Sequence, residues 1–202
     1  MMEGRLDRLL KNWPRVYHVT YTSNLPSIRS HGLFSASKLK EMAESNEGFR
    51  PDKLPLDCPR LGRVTLRDQA PMASHLLKVK KSLIGMSPED WYRLIDDHIF
   101  FFFDCRNAET LFRKYKMRGE RQTLLEIPTR EILASASSAA HVTPINTGAV
   151  GPAYAQRGPK TFHKIDVWDR TGFIDKVRKQ AKRPVELAVR QDNLQVRVRI
   201  VE

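Results

Sequence analysis

The chain has 202 residues, of which 41% are hydrophobic, enough for one domain with a buried core. Its net charge of +12 and pI near 10 favour polyanionic partners such as nucleic acid. No apolar run approaches the roughly 20 residues that span a membrane, and the N-terminus lacks an apolar signal core, so we expect a cytoplasmic protein. The two cysteines, Cys58 and Cys105, have no zinc-ligand spacing, and we expect neither a metal site nor a structural disulfide.

A short strand followed directly by a short helix is the first informative stretch. Alternation along residues 16–21 places His18 and Thr20 on the same face of the strand. Asn24 is the predicted helix cap, and Gly32 is the predicted helix end. An imidazole and a hydroxyl thus lie beside a helix N-terminus, which suits a phosphate-bearing ligand with ribose hydroxyls.

Periodicity and capping residues predict further helices and strands along the whole chain. The predicted helices are residues 1–14, Ser35 or Ser37 to Glu44, Ala70–Ser82, one that starts at Ser87, Asn107–Tyr115, Thr129–Ala134 and 172–182. The predicted strands are residues 63–67, 99–103, 123–127, 184–190 and 194–201. The apolar strand 99–103 is expected at the centre of a sheet. Because no β-α-β regularity is visible, we expect a single α+β domain over residues 1–202.

Two stretches show no regular pattern. Residues 45–62 are rich in proline and glycine and predict a loop, either a lid or binding edge or a plain surface excursion. Residues 135–165 are either a connection or a substrate loop. Aromatic side chains among cations favour the substrate loop, because such pairs stack on bases and neutralise phosphates. The side chains concerned are Tyr154, Arg157, Lys160, Phe162 and His163.

Two charged residues at strand ends are candidates for catalysis. Arg106 follows the apolar strand, and a guanidinium held there matches a diphosphate with two hydrogen bonds. The alternative is a helix-capping turn with an incidental arginine. Glu186 alternates with the apolar residues of strand 184–190, and its small neighbour Ala188 leaves room for a ligand. The alternative is an ordinary amphipathic strand that carries a glutamate.

Other polar residues are weaker candidates. We expect His98 to be structural and the pair Asp96 and Asp97 to lie on the surface, since no second acidic cluster accompanies the pair. The tripeptide Arg67-Asp68-Gln69 is a weaker candidate for the wall of a ligand cleft.

Three segments resemble the DarT group of ADP-ribosyltransferases. His18-Val19-Thr20, with the Asn-Leu-x-Ser-Ile pattern of residues 24–28 and the Gly-Leu at 32–33, resembles the opening of that family. The aromatic strand followed by Arg106 and Asn107 resembles a second segment, although Asp-Cys replaces the family's Asn-Pro before the arginine. Residues 183–189 resemble the strand that carries the family's catalytic glutamate. More distantly, the opening is similar to those of poly(ADP-ribose) polymerases and RNA 2'-phosphotransferases.

The resemblance implies a fold and an activity. The expected fold is an ADP-ribosyltransferase-like split α+β fold, with two small packed antiparallel or mixed sheets, a central NAD cleft and outer helices. The expected activity is transfer of ADP-ribose from NAD, as co-substrate, to a base of single-stranded DNA or RNA, with release of nicotinamide. A DarT-like toxin would have a macrodomain-type hydrolase as antagonist. The alternatives are an RNA 2'-phosphotransferase-like enzyme and a non-catalytic nucleic-acid-binding module on the same fold.

The resemblance also implies residue roles. Glu186 would stabilise positive charge at the ribose as the nicotinamide bond breaks, and Arg106 would hold the diphosphate. His18 would bind the adenosine ribose, and Thr20 or its backbone would orient the nicotinamide amide. The implied NAD-binding set is His18, Val19, Thr20, Asn24, Ser27 and Arg106.

Overall fold

The structure is a computed structural model that describes residues 2–69, 72, 76–149, 155–165 and 183–201. Within them, seven α-helices and eleven strands alternate irregularly. The helices are α1 Met2–Asn12, α2 Leu25–His31, α3 Ala36–Met42, α4 Leu76–Ser82, α5 Pro88–Asp96, α6 Cys105–Met117 and α7 Thr129–Ala136. The strands are β1 Arg15–Tyr21, β2 Leu33–Phe34, β3 Leu54–Cys58, β4 Gly62–Leu66, β5 Ile99–Phe102, β6 Gln122–Pro128, β7 Ala140–Thr143, β8 His163–Lys164, β9 Glu186–Val189, β10 Asn193–Leu194 and β11 Arg199–Ile200. None of the described helices is long and apolar enough to cross a bilayer.

A seven-stranded antiparallel sheet with the order β11-β6-β1-β5-β9-β7-β8 forms the centre of the fold. Strands β1 and β6 pair along their full seven residues, whereas β1 and β5 share the single register pair Tyr17 and Phe102. The α+β class is therefore confirmed. The expected two packed sheets are instead two halves of one sheet, which opens between β1 and β5. Strands β2 and β10, and β3 and β4, form two smaller sheets.

A histidine side chain lies in this opening. The Nδ1 atom of His18 lies 2.8 Å from the carbonyl oxygen of Phe100, one pair beyond the point where the two strands separate. A buried carbonyl that leaves a β-ladder needs another donor. The imidazole supplies that donor, so the two halves of the sheet remain apart without an unpaired carbonyl at Phe100.

The two faces of the sheet pack against different helices. The larger cluster contains Phe101 and Phe103 together with Leu9 of α1 and Ile132 of α7. Across the sheet, Phe102 packs with α6 in a second cluster. Strand β5 is thus buried on both faces and lies at the centre of the sheet, as its apolar run predicts.

Both irregular stretches contain strands that the sequence does not predict. Strand β3 lies within residues 45–62, where Leu56 and Cys58 are buried and alternate with exposed residues. Pro55 is tolerated because this two-stranded sheet consists of edge strands. Strands β7 and β8 lie within residues 135–165, so that stretch is not a simple loop. The predicted helix 172–182 and residues 70, 71 and 73–75 of the predicted helix Ala70–Ser82 lie outside the described residues.

Gly32 ends α2 and permits the pairing of β2 with β10. Its φ is +82°, and a Cβ atom there would lie 2.5 Å from the carbonyl oxygen of Leu194 in β10. Gly119 has a similar φ of +73°, but a Cβ atom there would meet no atom within 4 Å. At Gly32 both the backbone conformation and the Leu194 carbonyl exclude a side chain, whereas at Gly119 only the positive φ disfavours one.

We expect Gly32→Ala to destabilise the fold much more than Gly119→Ala. The positive φ at Gly119 costs an alanine about 1–2 kcal/mol. The cost at Gly32 is larger, because φ +82° with ψ −168° is a conformation essentially restricted to glycine and because β10 must also move. Urea unfolding of the two variants measures the difference. Equal losses would show that β10 does not lie against Gly32 in solution.

Candidate functional site

A cleft of about 230 Å³ lies where the sheet opens. Side chains from β1, β5, β9, α2, α3 and β4 line it, together with residues 146–148. The structure brings six of the predicted site residues to this cleft from distant parts of the chain. They are His18, Val19, Thr20, Asn24, Ser27 and Glu186. Their roles toward NAD remain predictions.

The carboxylate of Glu186 is the most constrained group in the cleft. Glu186 is 3% exposed and lies in register with Phe102 of β5 and Thr143 of β7. Its Oε2 accepts hydrogen bonds from the hydroxyl of Thr143 at 3.2 Å, and from the backbone N–H and hydroxyl of Thr147, both at 3.0 Å. Among the described residues these bonds all reach Oε2, which leaves Oε1 for a ligand.

Burial raises the pKa of Glu186 to about 7, although the Thr147 and Thr143 hydrogen bonds and the charge of Arg67 act to lower it. The carboxyl group therefore changes its charge near neutral pH. A carboxyl group with this pKa, facing a cleft, is typical of catalytic sites.

Residues of the 135–165 stretch hold in place the Thr147 donors that bind Glu186. Arg157 is 3% exposed, and its guanidinium donates to the carbonyl of Ala149 and, at 2.8 Å, to that of Ala155. It thereby fixes the segment that carries Thr147. Phe162 stacks on His98 with ring centroids 4.4 Å apart. The sequence predicts that Arg157 and Phe162 contact substrate, but Arg157 is buried and Phe162 packs on His98. Tyr154 lies outside the described residues.

His18 presents a hydrogen-bond acceptor to the cleft. A carbonyl oxygen can only accept, so the contact with Phe100 places the ring proton on Nδ1. Burial, with a smaller effect of the charge on Arg67, lowers the pKa of His18 to about 4, while the Phe100 hydrogen bond opposes this. The ring is therefore neutral at pH 7, and Nε2 can accept a hydrogen bond from a hydroxyl group.

The sequence predicts that the side chain of Asn24 caps α2, but this side chain makes no capping hydrogen bond. A 3-10 turn, Thr22–Asn24, precedes the helix and places the Asn24 backbone in the helical conformation. Its amide instead donates to Thr20 Oγ1 at 3.2 Å and to the carbonyl of Thr65 at 2.9 Å, and accepts from the N–H of Thr65 at 2.8 Å. Asn24 therefore attaches β4 to β1.

Arg106 lies outside the residues that line the cleft. It occupies the first turn of α6, where its side chain is 82% exposed and its Nη2 lies 2.7 Å from Oδ2 of Asp104. Asp104 caps this helix by accepting from the N–H of Arg106 at 2.9 Å. The helix-capping alternative describes this turn, because the guanidinium folds back onto the cap.

Arg50 and Arg67 both line the cleft. Arg50 is paired with Asp96, so Arg67 is the candidate for binding a ligand. Its charge acts to lower the pKa of both Glu186 and His18, so it lies near both. Its guanidinium lies 5.8 Å from the ring centroid of Tyr115, and among the described residues its buried Nη1 has no hydrogen-bond partner. The tripeptide Arg67-Asp68-Gln69 is only a weaker candidate for the cleft wall in the sequence, and all three of its residues line the cleft.

A buried ionic network fixes the backbone at Arg67. Asp96 is 2% exposed and accepts from Arg50 Nη2 at 2.7 Å, Lys40 Nζ at 2.7 Å and Gln69 Nε2 at 3.2 Å. Arg50 also donates through Nε to the carbonyl of Arg67 at 3.2 Å. The expected surface position of Asp96 is wrong, because helical periodicity does not show that the Arg50 loop covers this face. Removing one partner of such a buried network typically costs about 3–5 kcal/mol.

A family model matches residues 14–198, a span that includes every cleft residue named above. The chain belongs to DUF7002, a family of unknown function. No curated protein matches this DUF7002 chain, and no solved structure matches it. The function of this DUF7002 member is therefore argued from its cleft.

The raised pKa of Glu186 predicts a pH-dependent effect of Glu186→Gln on stability. Between about pH 4.5 and 7 the folded state binds more protons at this residue than the unfolded state, so its contribution to stability falls as pH rises. The amide of glutamine carries no charge and still accepts from Thr147. We expect Glu186→Gln to be more stable than the wild type at pH 8, by up to about 3 kcal/mol, with little gain at pH 5.

Chemical denaturation at both pH values measures this effect. Glu131→Gln is the control of opposite sign, because hydrogen bonds from Arg197 lower the pKa of Glu131 and its charged form stabilises the fold above that pKa. A loss of stability at pH 8 for Glu186→Gln would contradict the buried environment and raised pKa of Glu186.

Proposed function

We propose that this protein transfers ADP-ribose from NAD to a nucleic-acid base and releases nicotinamide. The observation that carries the proposal is the buried carboxylate of Glu186, whose hydrogen bonds within the described residues all reach Oε2 and which faces the same cleft as Arg67 and His18. The DarT-like segments around His18 and Glu186 support the same activity, and they imply a macrodomain-type hydrolase as antagonist.

Glu186 suits the chemistry of the nicotinamide–ribose bond. As this bond breaks, its electron pair leaves with nicotinamide and positive charge develops at the ribose anomeric carbon. A fixed carboxylate beside that carbon stabilises the charge. The nucleophilic atom of the acceptor then bonds to the carbon and loses its proton, which Glu186 or water accepts. Only the ionised carboxylate serves the first step, so activity should rise through pH 7.

Arg67 and His18 suit the remainder of the dinucleotide. Nη1 of Arg67, which has no partner within the described ranges, can donate to a diphosphate, whose charge would also compensate the buried guanidinium. With its proton on Nδ1, the His18 ring can accept from a ribose hydroxyl through Nε2. A cleft of about 230 Å³ is smaller than the roughly 300–1,000 Å³ of pockets that enclose drug-sized ligands. A bound dinucleotide would therefore lie along the opening with part of its surface in solvent.

The charge distribution near the cleft supports a nucleic-acid acceptor. Arg118, at the end of α6, forms an ion pair at 3.1 Å with Asp68, which lines the cleft. Arg113, Lys114 and Arg118 surround a shallow groove with Met117, which is 88% exposed. A strand bound along these cations would reach the mouth of the cleft, and the net charge of +12 favours such a polyanion.

The first test is nicotinamide release from NAD by the full chain, in the presence of single-stranded DNA, RNA or protein. We expect Glu186→Gln to lower kcat by about 100-fold or more, because the charge at the reacting carbon loses its partner. The pH profile of kcat/KM should rise with a pKa near 7 and become flat in this variant. Absence of nicotinamide release with every acceptor would contradict the proposal.

A pair of arginine variants decides between the two candidate diphosphate ligands. We expect Arg67→Met to lower kcat/KM by about 100-fold, because a guanidinium bound to a diphosphate forms charge-assisted hydrogen bonds. Arg106→Met should change it by less than about twofold, because that side chain already pairs with Asp104 in solvent. The reverse result would restore the assignment made from the sequence.

A further inference from the structure

His98 has a buried nitrogen that forms no hydrogen bond with any described residue. It is 5% exposed, lies between α5 and β5, and contributes to the cleft wall. Its Nδ1 lies 2.7 Å from the carbonyl oxygen of Leu94, which can only accept, so Nδ1 carries the proton. Its Nε2 is buried and finds no partner in the part of the chain that the structure describes. A buried acceptor that stays unpaired is costly, and a ligand donor would remove that cost.

Aromatic neighbours fix the orientation of this imidazole. Phe162 stacks on it at 4.4 Å with an interplanar angle of 18°, and the rings of Phe100 and His141 lie 5.9 Å and 5.6 Å away. Burial lowers the pKa of His98 to about 4, as do His141 and Arg190 to a lesser extent, against the Leu94 hydrogen bond and Asp97. The ring is thus neutral at pH 7, and Nε2 is an acceptor with a fixed direction.

Strand β5 places three polar groups in sequence along the cleft. Glu186 is in register with Phe102, His18 bonds the carbonyl of Phe100, and His98 precedes the strand by one residue. Because a strand rises about 3.4 Å per residue, successive positions are roughly 7 Å apart, and His98 lies roughly 14 Å along the strand from the Glu186 position. The ligand group that meets His98 is therefore not the group that meets Glu186.

We propose that His98 binds the purine of the dinucleotide by accepting a hydrogen bond from the 6-amino group of adenine. This inference rests on the proposed function, in which the nicotinamide ribose occupies the Glu186 end and the purine is the group at the opposite end. An acceptor between aromatic rings suits the edge of a flat heterocycle that carries an N–H donor. A 6-keto purine would present an oxygen to the same nitrogen, and its N1–H donor lies at the neighbouring ring position, out of line with an imidazole of fixed orientation.

The test compares ligands that differ in the 6-substituent and in the hydrogen on the adjacent N1. Calorimetric titration measures the Kd of AMP and IMP, and of NAD and its hypoxanthine analogue, for the wild type, His98→Phe and His98→Gln. We expect the wild type to prefer the amino ligand by about tenfold or more, because the keto ligand leaves a buried acceptor unpaired. His98→Phe should bind both ligands of a pair equally. His98→Gln keeps a donor for Leu94 and an acceptor in one amide, so it should retain part of the preference.

The control is His31→Gln, which replaces a histidine that does not line the cleft and should keep the wild-type preference. Equal binding of AMP and IMP by the wild type, binding of neither, or an unchanged preference in His98→Phe would overturn the proposal. If His98→Phe fails to fold, the wild-type ratio and His98→Gln decide the matter.

The two experiments distinguish failure of the transferase proposal from failure of the purine-site proposal. A preference for AMP that depends on His98, without nicotinamide release from NAD, would support the purine site and contradict the transferase. Nicotinamide release with no preference between AMP and IMP would support the transferase and contradict the purine site.

Discussion

The opening of the central sheet between β1 and β5 is the constraint on which the cleft depends. A continuous ladder between these strands would close the space that the polar side chains now line. The imidazole of His18 makes the opening stable, because it bonds the carbonyl of Phe100 that would otherwise be an unpaired ladder acceptor. The same bond fixes the tautomer of the ring, so one interaction both shapes the cleft and presents an acceptor to it.

Charged groups at this opening are held by buried residues behind it. Glu186 is retained in a buried position by donors on Thr143 and Thr147. Arg157 in turn fixes the segment that carries Thr147, and the Asp96 network fixes the backbone of Arg67. Preorganised charges of this kind need little rearrangement during a reaction, which is how buried electrostatic sites accelerate bond cleavage. The energetic cost of burial is visible in the raised pKa of Glu186.

Local patterns predicted the strand and helix bounds well where one short element has a clear apolar face, as around His18 and Glu186. They were less informative where the deciding partner is distant in sequence: Asp96 is buried by Arg50, which lies 46 positions away. At Arg106 the pattern leaves two alternatives open, and the neighbouring cap Asp104 pairs with the guanidinium. Arg67 is only a weak candidate in the sequence, because the residues that hold its backbone at the cleft, Asn24 and the Asp96 network, lie far from it in the chain. Periodicity shows which face of an element is apolar, whereas burial of its polar face depends on the tertiary fold.

A crystal structure with a non-cleavable carbocyclic NAD analogue tests the central claim most directly. The account predicts the nicotinamide-side ring of the analogue beside Oε1 of Glu186, and the diphosphate on Arg67. The analogue should lie along β5 within the opening of the sheet. An analogue bound away from Glu186, or a diphosphate held by Arg106 on the outer surface of α6, would contradict the account.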